Sequence, residues 1–185
     1  MTFGIILLVI IVALVVAAVM MYNGLVKQRN TVQEAWHQID VELTRRHDLI
    51  PNLVETVRGY AAHESGTLDA VVQARNSAIN VAGSQPAARA DAENALTQTL
   101  GRLFALSEAY PNLKANENFL GLQSELSGTE DKIAYARQFY NSAVQTYNNT
   151  VQTVPTNIVA GIGNFRVESL FEAGGTERGP VQVHF

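Results

Sequence analysis

The chain opens with an uninterrupted apolar segment, FGIILLVIIVALVVAAVMMY, at residues 3–22. The segment carries no charge, and at ~1.5 Å per residue a helix of this length crosses a hydrocarbon core of ~30 Å. A cleaved signal peptide is the alternative, but its apolar region is shorter and follows basic residues. No basic residue precedes Lys27. The pattern therefore predicts a transmembrane anchor at residues 1–22, with the membrane bilayer as its partner through residues 3–22.

Beyond the anchor, apolar positions recur every three or four residues, which is the period of an amphipathic helix. Pro51 would normally end or kink a helix, yet the apolar phase continues past it. We therefore predict one long helix over about residues 23–82, kinked near Pro51, with part of its apolar seam exposed as an interaction surface. The seam consists of two columns, Trp36, Leu43, Ile50, Val57 and Val71 in the first and Val32, Ile39, Leu53 and Tyr60 in the second.

Two further helices are predicted, at about residues 86–110 and 114–154. Gly83 and Pro86 mark the turn before the first of them, and a YPN break begins at Tyr110. In the second, apolar residues keep a seven-residue spacing through Gly128, so a continuous helix is favoured over a new helix capped at Thr129. Pro155 should end it. A short helical turn or two should then lead into an irregular tail.

These elements predict an all-α protein, in which an N-terminal transmembrane helix is followed by an antiparallel up-down bundle of three to four long helices. The predicted domains are the anchor at residues 1–22, the bundle at 23–155 and the irregular C-terminal tail at 156–185.

Composition narrows the function. The chain of 185 residues has no cysteine, which excludes disulfides, zinc-thiolate sites and cysteine nucleophiles. Its net charge is -4 and its 13 Lys and Arg residues form no long basic run, so we expect no nucleic-acid partner. Lys27 and Arg29 follow the anchor directly, and positive charge tends to remain in the cytoplasm. The bundle is therefore expected on the cytoplasmic side of the membrane.

Residues 34–54, EAWHQIDVELTRRHDLIPNLV, combine histidines, acids and arginines. A metal-dependent enzyme using His37, His47 or His63 with nearby acids is one hypothesis. Glu34 and His37 have the Glu-x-x-His spacing of di-iron bundles, but no second copy occurs, and on a helix this pair faces away from the seam. We therefore predict no catalytic residue, no metal and no cofactor. A small-ligand sensor is a further alternative, which a polar, unfilled pocket between the helices would favour.

Two charges interrupt the seam, Arg46 and Glu64. Such residues either extend to water at the edge of the seam or pair and fix the register or the choice of partner. Counting back through the turn near Ser84 predicts a contact between Glu64 and Arg102. Arg46 would lie beyond the second helix, so its partner should come from the tail, the third helix or another subunit.

The segment YNGLVKQRNTVQEAWHQIDVELTRRHDLIPNLVETVRGYAAHE resembles the signature region of the LemA family of bacterial membrane-anchored proteins. The likeness continues through AYPNLKANENFLGLQSELSGTEDKIAYARQFYNSAVQTYNN and GPVQVHF. The resemblance implies an N-terminal anchor, a short outside N-terminus and a cytoplasmic helical bundle. It brings no catalytic or ligand-binding residue with it. His37 stands where the family usually has a small polar residue, which weakens the idea of a metal pair with Glu34.

These observations predict a single-pass scaffold or adaptor that associates with itself or with other membrane proteins. The resemblance implies a bacterial inner membrane and a role in envelope maintenance or stress. The absence of catalytic motifs favours this interpretation over the enzyme and sensor alternatives.

Overall fold

The computed structural model describes residues 2–172. These residues form six helices and contain no strand: α1 (Thr2–Arg58), α2 (Ser65–Asn80), α3 (Pro86–Ser107), α4 (Pro111–Lys114), α5 (Glu117–Gln152) and α6 (Thr156–Ile162). The helices that begin at Pro86 and Glu117 match two predicted helices closely, and Pro86 lies at the first position of α3, where its missing N–H is not needed. The predicted all-α class is confirmed.

Among the helices within residues 2–172, α1 alone is long and apolar enough to cross a membrane, and its apolar segment lies near the N-terminus. Residues 3–22 of this helix carry no charge, and most of their side chains are exposed. Pro51 lies inside α1 without ending it, and Ile50 and Leu53 beside it are fully buried. The apolar phase across Pro51 was therefore a sound guide to helix continuity at that point.

The prediction of one helix reaching about residue 82 is wrong, because α1 ends at Arg58 and α2 begins at Ser65. The amide of Ala61 donates to the carbonyl of Val57, and that of Glu64 donates to Ala61, so short-range bonds turn the chain. Arg75 Nε of α2 then donates to the backbone oxygen of His47 at 2.7 Å. The fold-back lets α2 bury its own apolar residues. One extended helix would leave these residues in water, which is unfavourable.

The fold-back at residues 59–64 also changes what covers the end of the apolar seam. Val57 and Val71 are both fully buried although they lie on different helices, so this part of the seam is covered within the chain. The exposed stripe that we expected at the end of a longer first helix is therefore absent here.

α5 is continuous from Glu117 to Gln152 and passes through Gly128. The hydroxyl of Thr129 donates to the carbonyl of Glu125 at 2.8 Å, which is a bond inside the helix and not an N-cap. The predicted continuity is confirmed. α6 follows as a short helix and residues 163–172 have no regular structure; residues 173–185, the rest of the predicted tail, lie outside the described residues.

The chain divides into two compact units. The first comprises residues 1–39 and 136–168. In it the end of α5 packs on α1 through Trp36 and Tyr140, whose ring centroids are 5.3 Å apart. Burial raises the pKa of Tyr140 to about 12, with a smaller contribution from the charge of Glu168.

The second unit comprises residues 40–135 and, from the described end of the chain, residues 169–172. α2 is antiparallel to the end of α1, as the Arg75 contact shows. α3 is therefore parallel to α1, and the start of α5 is antiparallel to α1, with Asn116 donating to the Tyr60 hydroxyl. The core that these helices share contains Ile50, Leu53, Val54, Val57, Ala61, Leu68, Val71, Ala78, Leu96, Leu100, Leu103, Leu113, Phe119 and Leu126.

Candidate functional site

Arg46 is the centre of a buried polar cluster in the second unit. Its side chain is only 1% exposed, so the interpretation that it reaches water at the seam's edge is wrong. One guanidinium nitrogen, Nη2, pairs with the carboxylate of Glu93 on α3. The other, Nη1, donates to Glu130 Oε1 of α5 at 2.5 Å and to Thr97 Oγ1 of α3 at 2.9 Å. One side chain therefore connects three helices.

The sequence predicted only some of the partners of Arg46. Glu130 does come from the helix predicted third, as expected for one possible partner of Arg46. Glu93 was missed, because a helix running to residue 82 would place Arg46 beyond the reach of α3. The chain folds back at residues 59–64 instead, and this brings α3 alongside Arg46.

A signal for the missed residues was present in the sequence. Leu96, Leu100 and Leu103 form the buried line of α3, and the same three- and four-residue steps lead backwards to Glu93 and Arg89. Both charged residues are 2% exposed. Charged residues in the buried line of a helix need partners, so the line itself indicated which residues Arg46 could meet.

His47 is the second basic group beside Glu93. Its Nε2 lies 3.1 Å from Glu93 Oε1, and its ring is largely buried. Burial by itself would raise the pKa of Glu93, but the hydrogen bond to His47 and the charge of Arg46 outweigh it. The pKa of Glu93 therefore lies below its ordinary value of 4.5, and the carboxylate is charged at neutral pH.

A second ion pair joins the same two helices with the charges reversed. Arg89 Nη2 of α3 lies 2.5 Å from Asp40 Oδ1 of α1. If α3 slid by about one turn in one direction, Arg89 would approach Arg46, and in the other direction Glu93 would approach Asp40. Either shift brings like charges together, which destabilises the packing of α3 on α1. That the two ion pairs select a single register between α1 and α3 stays a prediction.

Glu64 and Arg102 are not brought together. Glu64 occupies the cap position of α2 and accepts a hydrogen bond from the Tyr110 hydroxyl at 3.0 Å, which raises the pKa of Tyr110. Arg102 is exposed on α3. The ion pairs among residues 2–172 do not include the predicted contact between them, because the turn after Arg58 moves Glu64 to the far end of α3. Their role in register or partner choice stays a prediction.

The three histidines proposed for a metal site differ in their exposure and contacts. His37 and His63 are exposed, whereas His47 is bound to Glu93. Across the described part of the chain, no three His, Asp or Glu side chains are grouped so that they could hold a metal ion. The geometry therefore gives the metal-dependent enzyme no assembled ligand set.

A cavity of about 310 Å³ lies between α3 and α5, with Phe104 and Leu126 among its apolar walls and Glu130 and Asp131 at its polar side. Its size admits a small molecule, and it is the feature that favours the sensor alternative. Glu130 is already paired with Arg46, so a ligand that used this carboxylate would have to compete with a charge-assisted bond.

Comparisons with known proteins identify a family and several relatives. The model described as "LemA family" matches residues 35–185. Protein LemA of Metamycoplasma hominis is 28% identical over 158 residues, which cover 84% of this chain and 71% of that protein. Magnetosome protein MamQ 2 of Paramagnetospirillum magneticum is 25% identical over 186 residues, covering 88% of this chain and 68% of that protein. Magnetosome protein MamQ of Magnetospirillum gryphiswaldense is 26% identical, with 88% and 69% covered.

Proposed function

The chain belongs to the LemA family, and from that premise we propose that it is a single-pass membrane-anchored scaffold or adaptor, not an enzyme. Its partners are other copies of itself or other proteins of the same bilayer. A role in bacterial envelope maintenance or stress is part of this proposal and rests on the family resemblance.

The observation that carries the proposal is the continuity of α1. A single helix runs from Thr2 to Arg58, so the apolar segment and Arg46 lie on the same helix. Confinement to a membrane raises the effective concentration of other proteins in that membrane. A helix that joins a membrane anchor to an interlocked bundle suits holding proteins together more than it suits turnover of a substrate.

The polar chemistry of the second unit also supports a structural role. Arg46, Glu93 and Arg89 are used in ion pairs between helices, and in some proteins buried pairs of this kind serve specificity of packing. Lys27 and Arg29 directly after the apolar segment support a cytoplasmic location for the residues that follow, in the inner membrane of a bacterium.

Exposed apolar side chains supply surfaces for partners. Tyr135 is 70% exposed and Val41 is 65% exposed in the second unit. Tyrosine is enriched where proteins bind one another, because it contributes a large contact area at a low entropic cost. Tyr135 is therefore a suitable position at which to search for a partner.

Photo-crosslinking in intact bacterial membranes tests the scaffold proposal. A photoreactive amino acid replaces Tyr135 in one variant and Asp69, an exposed position on α2, in the control. We expect adducts with a second copy or with a membrane protein at Tyr135, and at least several-fold fewer at Asp69. Recovery of the second copy alone identifies a homo-oligomeric scaffold. Absence of adducts at both positions would contradict the proposal.

A further inference from the structure

α6 presents an apolar face to solvent in the first unit. Ile158 and Ile162 are four residues apart, so they lie on one side of the helix, and they are 62% and 85% exposed. Val154, in the turn that precedes α6, is 72% exposed. Large aliphatic side chains grouped in this way need a partner. We call these three residues the α6 face.

The turn after α6 fixes this helix against α1. Asn164 has a φ of 54°, a left-handed conformation that asparagine tolerates better than most residues. The amide of Phe165 donates to the carbonyl of Ala160 at 2.9 Å, and that of Asn164 donates to Gly161 at 3.3 Å. These are the two bonds of a Schellman motif. The motif directs Phe165 back across the end of α6.

Phe165 packs on α1 at the end of the apolar segment. Its ring meets that of Tyr22 edge to face, with centroids 5.4 Å apart, and the Arg29 guanidinium lies 5.2 Å from its centroid. Gly163 is needed here, because a Cβ at this position would lie 2.5 Å from the Phe165 ring. Asn148 of α5 holds the following segment through two 2.8 Å bonds with the backbone of Glu168. The position of α6 is therefore fixed by several contacts.

A groove of about 520 Å³ separates α6 from the apolar segment. Val15, Val19 and Tyr22 line one wall, and Val159, Ile162 and Gly163 line the other. Val15 lies roughly 10 Å along α1 from Tyr22, at ~1.5 Å per residue. If the apolar segment spans a bilayer, Ile162 faces the same layer as the last turns of that span, a depth of ~5–10 Å that is typical of interfacial helices.

The sequence around α6 has the charge pattern that such a location requires. No Asp, Glu, Lys or Arg occurs between Arg137 and Arg166, a stretch that contains the end of α5 and all of α6. A charge held at the depth of Val19 would lose its hydration. Arg137 and Arg166 flank this uncharged stretch on either side. Tyr22 is an aromatic residue of the type that concentrates at the membrane–water boundary.

We propose that α6 is a second membrane-contact element, whose face of Val154, Ile158 and Ile162 inserts among the lipids of the bilayer that the N-terminal segment spans. The lipid surface is the occupant because Ile162 of the α6 face lines the same groove as Val15, Val19 and Tyr22 of the proposed span. The inference rests on the proposed membrane anchor, and it gives the protein two attachments to one leaflet.

Fluorescence of the full chain in phosphatidylcholine vesicles tests this inference. The chain has no native cysteine, so Ile162→Cys can be labelled alone with an environment-sensitive fluorophore. Leu8→Cys reports the span, and Glu34→Cys reports an exposed position on α1 roughly 18 Å beyond Tyr22. We expect the Ile162 probe to be blue-shifted, and quenched by brominated acyl chains several-fold more than the Glu34 probe.

The three probes separate the possible failures. Quenching at Leu8 with an Ile162 probe that behaves like the Glu34 probe would leave the anchor intact and overturn the α6 inference. A blue-shifted Ile162 probe that brominated lipid does not quench would also overturn it, because the face would then be covered by protein such as a second copy. A Leu8 probe in water would remove both the anchor and the inference.

Discussion

Arg46 is buried at a cost, since removing a charge from water costs several kcal/mol even after relaxation. Glu93 and Glu130 supply two negative partners and Thr97 a hydroxyl, so the cost is offset by bonds that exist in only one arrangement of α1, α3 and α5. The reversed pair of Asp40 and Arg89 penalises a shift of one turn. We therefore expect the cluster to contribute more to the uniqueness of the packing than to its net stability.

Substitution of Arg46 tests this view. Arg46→Met leaves Glu93 charged and buried without its guanidinium, so we expect the free energy of unfolding to fall by about 3–5 kcal/mol. Arg45→Met is the matched control at the next residue, which is exposed, and its effect should stay within about 0.5 kcal/mol. Unfolding of the full chain in detergent, followed by circular dichroism, measures both. Adding Glu93→Leu and Glu130→Leu to Arg46→Met should restore most of the loss, and equal effects of the two single variants would contradict the assignment.

Acid should weaken the cluster through Glu93. The pKa of this carboxyl is lower in the folded protein than its ordinary value of 4.5, so the unfolded chain takes up the proton first as the pH falls. The stability that depends on the Glu93 charge is complete above that value and is lost as the pH falls through the folded pKa.

The thermal midpoint between about pH 7 and about pH 3 measures this loss. Glu93→Gln should flatten the acid side of the curve, whereas Glu55→Gln, at a mostly exposed position on α1, should leave it unchanged. A Glu93→Gln curve parallel to that of the unsubstituted protein would disprove the assignment.

At the scale of the elements, the end of α1 shows how a periodic pattern can mislead. Val57 and Val71 keep the same heptad phase, yet a turn at residues 59–64 separates them. The phase records that both residues face one core, and both are indeed fully buried. It does not record whether the chain reaches that core by continuing or by folding back.

In α5 the periodic pattern predicted the continuity of the helix correctly, and a substitution at Gly128 tests that continuity. Among the described residues nothing lies within 4 Å of a Cβ added at this position, and the helix is continuous through it. Gly128→Ala should therefore increase the free energy of unfolding by about 0.5–1 kcal/mol, because alanine loses less backbone entropy in a helix.

Gly163→Ala is the matched control for this substitution. It places a methyl group against the Phe165 ring, so it should lower stability. Chemical unfolding of the full chain in detergent compares the two variants. A loss of stability in Gly128→Ala would indicate that α5 is broken near Thr129.

At the scale of the whole molecule, one helix links two kinds of environment. α1 begins as an apolar segment that suits lipid and ends in the core around Ile50 and Val57. The proposed insertion of the α6 face would add a second membrane contact, formed by residues far from α1 in sequence. Two attachments would restrain rotation about the anchor more than one, which is useful to a scaffold that presents a defined surface to partners.

The sequence by itself determined the apolar segment, the all-α class, the helices that begin at Pro86 and Glu117, and the continuity of α5. These features depend on local periodicity, capping and turn residues, which act over a few positions. It also singled out Arg46 as a charge inside the seam, because helix geometry alone places it there.

Only the tertiary structure decided which residues Arg46 meets. The turn at residues 59–64 brings α3 parallel to α1 and puts Glu93 beside Arg46, and it moves Glu64 to Tyr110 and away from Arg102. The position of α6 beside Tyr22 was equally beyond the sequence pattern. Each of these contacts joins residues distant along the chain. Their pairing follows from the direction in which each helix returns, and this is set by the free energy of burying apolar surface and pairing charge across the fold.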